Sequence, residues 1–196
     1  MTSAVRPLEG IKVVEFSHMV LGPSCGLILA DLGADVVKVE PAPGGDKTRQ
    51  LPGSGSGFFG AFNRNKRSVA VNLKSPEGHK FATKLVLESD VLIENFGTGV
   101  MDRLGLGYKA IQEINPQLIY CALKGFLSGP YENRAALDEV VQMMGGLAYM
   151  TGPKGRPLRA GASVNDLVGA LFGAVAIQAA LLERQRTDEG TFVRSD

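Results

Sequence analysis

Two cysteines and two histidines are the chain's whole stock of the side chains that most often do thiol, metal or proton chemistry. Cys25, Cys121, His18 and His79 fit no zinc spacing, so no metal site is expected. Neither cysteine belongs to a C-x-x-C, and both read as buried thiols. His18 reads as a turn residue. G-x-S-x-G is absent, which leaves a Ser-His-Asp hydrolase without its nucleophile turn. The first strand-to-helix turn, Ser17-His18-Met19-Val20-Leu21-Gly22-Pro23, has one glycine where a dinucleotide seat needs G-x-G-x-x-G. Without those glycines, Glu40 reads as a plain strand-end acid. Gly44-Gly45-Asp46-Lys47-Thr48 has the wrong spacing for a phosphate-binding P-loop. Chemistry is thus left to carboxylates, lysines, glycines or a bound cofactor.

The elements that would position such groups alternate along the chain. Residues 11–16, 35–40, 68–73, 90–94 and 117–123 are short apolar or alternating runs and predict strands. A further strand begins at 191–194. Gly22-Pro23-Ser24 opens a helix that Gly33 closes, and Ser75 followed by Pro76 caps another that runs to Glu88. Helices are also expected near 58–64, 98–104, 108–114, 137–149 and 164–186. The last carries a small-residue face (Gly169, Ala170, Gly173, Ala174, Ala176) suited to close packing. Residues 41–57 are a long Pro-, Gly- and Ser-rich loop, of the kind that is usually functional or mobile. Strands joined by helices with short connections predict an α/β fold, Rossmann-like, with a mostly parallel sheet and flanking helices.

Composition sets limits. The 21 basic and 20 acidic residues nearly cancel, which argues against nucleic acid or an acidic membrane surface as partner. An apolar share of 44% excludes disorder. No apolar run approaches the roughly 18 residues of a membrane span. The start, MTSAVRPLEG, has no apolar signal core, so a cytoplasmic location is expected. Glycine is the outlier, 25 of 196. That excess suits tight turns and close backbone approaches, as in α/β enzymes that cradle a cofactor.

Five strings then occur in order: PLEGIKVVEFS, LADLGADVVKVEPAPGGDKTR, NRNKRSVAVNLKSPEG, DVLIENFGTGVMDRLGLGY and INPQLIYCALKGF. Their order and spacing resemble the family III CoA-transferases, from about residue 7 to the end. That family includes the formyl-CoA, carnitine and bile-acid-inducible CoA-transferases; α-methylacyl-CoA racemase shares its fold. The resemblance implies that residues 1–196 are the N-terminal portion of the large domain. The small domain and the C-terminal return segment would be absent, as would a glycine-rich loop that guards intermediates from water. It also implies an intertwined homodimer for a full-length chain.

The resemblance gives roles to single residues. Asp166, in Gly161-Ala162-Ser163-Val164-Asn165-Asp166, matches the nucleophile. A carboxylate at a helix opening is expected to be held ionised by the helix N-terminus, near its ordinary pKa of about 4. The plain alternative is an N-terminal cap. Asp138 matches an acid near the active site, with a helix N-cap as its plain alternative. The residue before it is histidine in the racemases and Leu137 here. Leucine cannot exchange a proton, so transfer is favoured over racemisation. Met19, Lys74, Asn95, Phe96 and Arg103 match contacts to coenzyme A, with Met19 at the adenine end. The basic cluster Arg64, Lys66, Arg67 and Lys74 could serve the phosphates of CoA, or be a solvated face. Pro41 replaces an arginine and Val20 a glutamine of formyl-CoA transferase, which points away from formate and oxalate.

The expected activity is transfer of coenzyme A from an acyl-CoA to a small carboxylic acid. It would run through an aspartyl anhydride and an aspartyl-CoA thioester. Neither a metal, nucleic acid nor a membrane takes part. The alternatives are an acyl-CoA racemase or epimerase of the same fold, or an inactive CoA-binding fragment.

Overall fold

The computed structural model describes residues 6–195. Six strands form one sheet: β1 (Lys12–Phe16), β2 (Asp35–Pro41), β3 (Arg67–Val71), β4 (Val91–Glu94), β5 (Ile119–Leu123) and β6 (Phe192–Ser195). Their order is β3-β2-β1-β4-β5-β6, and every neighbouring pair is parallel. The expected α/β architecture with a parallel sheet is therefore present. The chain reverses its direction across the sheet between β1 and β4. In open α/β sheets, that switch point at the carboxyl ends of the strands is where ligands bind.

Period-2 alternation divides the core. Val13, Val36, Val91, Ile93, Ile119 and Cys121 face α1 (Leu21–Asp31) and α8 (Val164–Thr187). Val14, Phe16, Val39, Val71, Leu92 and Tyr120 belong to the second core. That core is closed by α3 (Pro76–Leu87), α4 (Val100–Arg103) and α5 (Tyr108–Ile114). The small-residue face of α8 does bury itself: Gly169, Ala170, Gly173 and Ala174 are joined by Ile177, Ala180 and Leu181, while Ala176 lies half-buried to one side. A Cβ at Gly173 would stand 2.7 Å from Leu123 Cδ2, so glycine there sets how closely α8 approaches the sheet. α8 spans 24 residues and is apolar enough, by length and composition, to cross a membrane; here one face packs on α1 and the sheet.

Two expectations need correction. The single helix over 137–149 is two, α6 (Asp138–Met144) and α7 (Leu147–Thr151), because Gly146 takes φ +82° between them. The long loop after β2 is not loose. It holds 3-10 turns at Lys47–Gln50 and Gly53–Gly55 and precedes α2 (Phe58–Phe62). Glu40 pins it: Arg49 donates twice to its carboxylate at 2.7 Å, and the Asp46 amide and the Ser68 hydroxyl add bonds of 2.7 and 2.6 Å.

Buried charge fixes the strand ends around β1. Glu15 is fully buried, and Lys38 Nζ and Lys66 Nζ stand 3.2 and 2.7 Å from its two oxygens. Lys38 also reaches Asp46 at 3.1 Å and donates to the Ser17 carbonyl at 2.7 Å. Burial raises the pKa of Glu15, but the two lysines outweigh it and hold the carboxyl below the usual range. A Cβ at Gly26 would overlap the Glu15 carboxylate, so α1 needs glycine there. Removing one partner of such a group strands a buried charge. Lys66→Met should lower unfolding stability by about 3 kcal/mol in urea titration. Arg67→Ala, which breaks an exposed pair with Asp35, should change it by less than about 1 kcal/mol.

Candidate active site

At the switch point the turns after β1 and β4 are bonded to each other. The Asn95 side chain accepts from the His18 amide at 3.0 Å and donates to the His18 carbonyl at 2.9 Å. The His18 ring stacks on Phe96, with centroids 5.9 Å apart. Met19 follows at φ +63°, and its amide donates to Thr48 Oγ1 at 3.3 Å. Asp46 orients that threonine by accepting from both its amide and its hydroxyl, at 2.8 and 2.6 Å. Met19 keeps 37% of its surface, whereas Val20 is buried. Glu94 and Lys124 clamp the other turn. Glu94 accepts from the Phe96 amide at 2.9 Å, and Lys124 pairs with Glu94 at 2.5 Å and donates to the Phe96 carbonyl at 2.7 Å. Burial raises the Glu94 carboxyl pKa despite Lys124.

Lys74 stands just before Ser75, the N-cap of α3. His79, in the first turns of α3, donates from Nε2 to the Leu104 carbonyl at 2.8 Å. That bond brings the start of α3 beside the end of α4, where Arg103 lies. Both side chains are exposed and make no ion pair or hydrogen bond among the described residues. The rest of the expected basic cluster is spent elsewhere. Arg64 pairs with Asp31 at 2.6 Å, Arg67 with Asp35 at 2.5 Å, and Lys66 is buried on Glu15. Of the four cations, Lys66 is buried, Arg64 and Arg67 are exposed but ion-paired, and Lys74 alone makes no ion pair among the described residues.

Asp138 and Asp166 come together at the first turn of α8. Asp138 is buried, and one oxygen accepts from the Asn165 and Asp166 amides at 2.8 and 3.2 Å. Its other oxygen accepts from Gln142 Nε2, with Arg159 at 3.8 Å. Asp138 thus caps a helix other than its own, since Leu137 is the N-cap of α6. The cap of α8 is Ser163, with no side-chain bond, so Asp166 is not a cap either. α8 runs toward the amino ends of the strands, with Arg184 on Asp90 at 2.8 Å, while Ser195 Oγ donates to Gly169 at 3.0 Å. Asp166 therefore lies on the carboxyl side of the sheet, as do the β1 and β4 turns.

The electrostatics differ from the expectation. The free amides of α8 go to Asp138, and the Asp166 carboxylate makes no hydrogen bond among the described residues. Burial, then the charges of Asp138 and Glu139, push its pKa from 3.8 to about 6, with Arg159 opposing. A poorly solvated carboxylate, ionised at neutral pH and without donors, is a better nucleophile than one in water. A cleft of about 400 Å³ over β4–β6 is lined by Glu94, Tyr108, Tyr120, Lys124 and Phe192 among others. It contains neither Asp166 nor the Met19 turn. Gln142 was visible in the sequence only as a residue one turn after Asp138. Lys124 and Arg159 pair across distances that no local pattern reports.

The model of CoA-transferase family III matches residues 8–195. The chain belongs to CoA-transferase family III. A succinyl-CoA:glutarate CoA-transferase of Homo sapiens is 40% identical over 195 residues, 96% of this chain and 44% of that protein. A formyl-CoA:oxalate CoA-transferase of Rhodopseudomonas palustris is 43% identical over 190 residues, 94% of this chain and 45% of that protein. The crystal structure of a CAIB/BAIF family protein from Brucella suis superposes with a TM-score of 0.89 at 43% identity, covering 95% of this chain and 52% of that one. The chain thus spans about half the length of the family III relatives it matches.

A carboxyl whose folded pKa exceeds its unfolded value binds its proton more tightly in the folded state. Its ionisation costs stability, with nothing lost below about pH 4 and the full cost reached above about pH 6. Asp166→Asn should therefore stabilise the fold by about 1–2 kcal/mol at pH 8 and leave it unchanged at pH 4, in paired denaturation curves.

Proposed function

We propose that this chain carries the nucleophile and the CoA-binding turns of an enzyme that moves coenzyme A between carboxylic acids. The observation that carries it is the first turn of α8. There Asp138 takes the helix amides and Asp166 stands half-buried without a hydrogen-bond donor. Met19, Asn95 and Phe96 at the switch point, with Lys74 and Arg103 beside it, suit a long ligand with an adenine end and several phosphates. Names of relatives at 40% and 43% identity carry glutarate and oxalate respectively, so similarity does not choose the acid. Small carboxylic acids are the proposed donors and acceptors.

The mechanism uses no proton transfer. An Asp166 oxygen attacks the thioester carbonyl, the C–S bond breaks, and CoA leaves as thiolate. The thiolate attacks the Asp166 carbonyl of the mixed anhydride, releasing the donor acid as carboxylate. The acceptor carboxylate attacks the aspartyl thioester and frees the thiolate again. The thiolate then takes the acceptor's acyl group and restores Asp166. Each step builds an oxyanion, which needs aimed donors. A racemase would need a second proton carrier beside Asp138. Leu137 stands there, 56% exposed, and cannot serve.

Two further features fit this proposal. The outer face of α8 exposes Leu171, Phe172, Val175 and Leu182, and α6 and α7 add Met143 and Met150. So large an apolar face suits a partner surface, in keeping with an intertwined homodimer. Two free, buried cysteines suit a cytoplasmic location.

In the full chain, Asp166→Ala should lower acyl-CoA:carboxylate exchange by roughly a thousandfold or more. It should also remove a CoA adduct that intact-mass spectrometry detects on the native enzyme. The native kcat/KM should fall below about pH 6, as the carboxylate takes its proton. Retained exchange in Asp166→Ala would overturn the assignment. α-Proton exchange with deuterated water would point to racemisation instead.

A further inference from the structure

Gln142 is wholly buried against Asp138, yet the chemistry above gives it no part. Its carboxamide is fully engaged. Nε2 donates to Asp138 and to the Ala162 carbonyl at 3.1 Å, while Oε1 accepts from the Ala160 amide at 2.6 Å. These partners fix the orientation of the amide, because a carboxylate and a carbonyl need donors and an amide N–H needs an acceptor. Ala160 and Ala162 lie in the irregular segment that leads into α8. One side chain on α6 therefore grips that segment and the Asp138 carboxylate together. Asp138 in turn holds the Asn165 and Asp166 amides. Arg159 adds a looser, exposed link, with Nε on the Ala160 carbonyl at 3.3 Å and its guanidinium 3.8 Å from Asp138 and 3.5 Å from Glu139.

We propose that Gln142 is a positioning residue: it locks the Asp138 carboxylate and the backbone of residues 160–162 into one unit, and that unit sets where the Asp166 carboxylate stands. This rests on Asp166 being the nucleophile. A buried network of this kind holds its geometry only while every member is satisfied. Methionine at 142 has similar length and none of the bonds. Glutamate has the same shape, but puts acceptors against the Asp138 carboxylate and the Ala162 carbonyl, where donors are needed. The charged groups facing Asp166 are Asp138 and Glu139 from α6 and Arg159 from the loop. A glutamate at 142 adds another negative charge to that set.

The test measures kcat, KM and the pH profile of CoA exchange in the full chain for native, Gln142→Met and Gln142→Glu forms. Both variants should lose kcat by roughly ten- to a hundredfold, the size of a small misplacement of reacting atoms. KM for acyl-CoA should stay within about twofold, because the CoA-binding turns are on other elements. In Gln142→Glu the acid limb of kcat should also move up by about half a pH unit or more. A residue that only fills space would lower the melting temperature and leave that limb in place. Unchanged kcat in either variant, or an unmoved limb in Gln142→Glu, overturns the proposal. If a variant does not fold, amide exchange in the native protein decides: the Ala160, Asn165 and Asp166 amides should be protected, and free-loop exchange rates overturn it. Asp166→Ala separates the two claims. If that variant keeps its activity, the nucleophile assignment fails and this proposal with it. If it is dead while the Gln142 variants behave as native, only this proposal fails.

Discussion

Charge buried at the carboxyl ends of the strands is the constraint on which the rest of this structure depends. β1, β2 and β4 run through the core of the sheet, yet they carry Glu15, Lys38, Glu40 and Glu94, all buried. Taking such groups out of water costs several kcal/mol each unless partners are matched and well placed. Every one of them is matched. Lys38 and Lys66 answer Glu15, Asp46 answers Lys38, Arg49 answers Glu40, and Lys124 answers Glu94. Such pairs add little net stability over an apolar core. What they add here is position. Apart from Lys38, which lies on β2, each partner comes from a loop or turn, so the ion pairs decide which loop crosses which strand end. The Met19 turn, the Phe96 turn and the loop after β2 are all placed this way.

The two aspartates at α8 show the opposite uses of one functional group. Asp138 is buried and saturated: two helix amides, an amide side chain and a nearby guanidinium surround it. Asp166, whose own amide Asp138 holds, has burial and negative neighbours but its carboxylate has no donor among the described residues. The helix N-terminus explains the division. Its free N–H groups can stabilise one carboxylate, and the one they reach belongs to α6. A carboxylate that received those bonds would be quieter. Giving them to the neighbour leaves Asp166 with a raised pKa and an available lone pair.

Most of the fold was legible because its signals are local. Short apolar or alternating runs marked β1 to β5 and the start of β6, Ser75-Pro76 marked a helix start, and the small-residue stripe marked the buried face of α8. The break between α6 and α7 was missed because Gly145-Gly146 sits inside an apolar run, and only the +82° φ of Gly146 reveals the turn. The pairing of the basic cluster was hidden for a different reason. Arg64, Lys66 and Arg67 look like one patch along the chain, but they face Asp31, Glu15 and Asp35 from other elements. Pairing across roughly 30 to 50 residues leaves no trace in spacing. Resemblance alone singles out Asp166 and Asp138 as candidates. It does not give their division of the helix amides, since the sequence favoured Asp166 for a bond that Asp138 makes.

The raised pKa also limits what can cover the site. In the mechanism proposed above, anhydride and thioester intermediates would have to be kept from water by a surface that closes over Asp166. An apolar cover would desolvate the carboxylate further and push its pKa above 6 toward neutrality. At neutral pH that would leave a carboxylic acid where a nucleophile is needed. The cover must therefore bring hydrogen-bond donors of its own, aimed where the oxyanion forms. α8 itself has none to spare, for its first amides are held by Asp138. Its outer face, with Leu171, Phe172 and Val175, can seat an apolar surface but cannot supply those donors. The glycine-rich loop that the family resemblance implies would meet both needs through its backbone amides. They approach closely, exclude water, and donate without adding a charge that would bind the carboxylate too tightly to react.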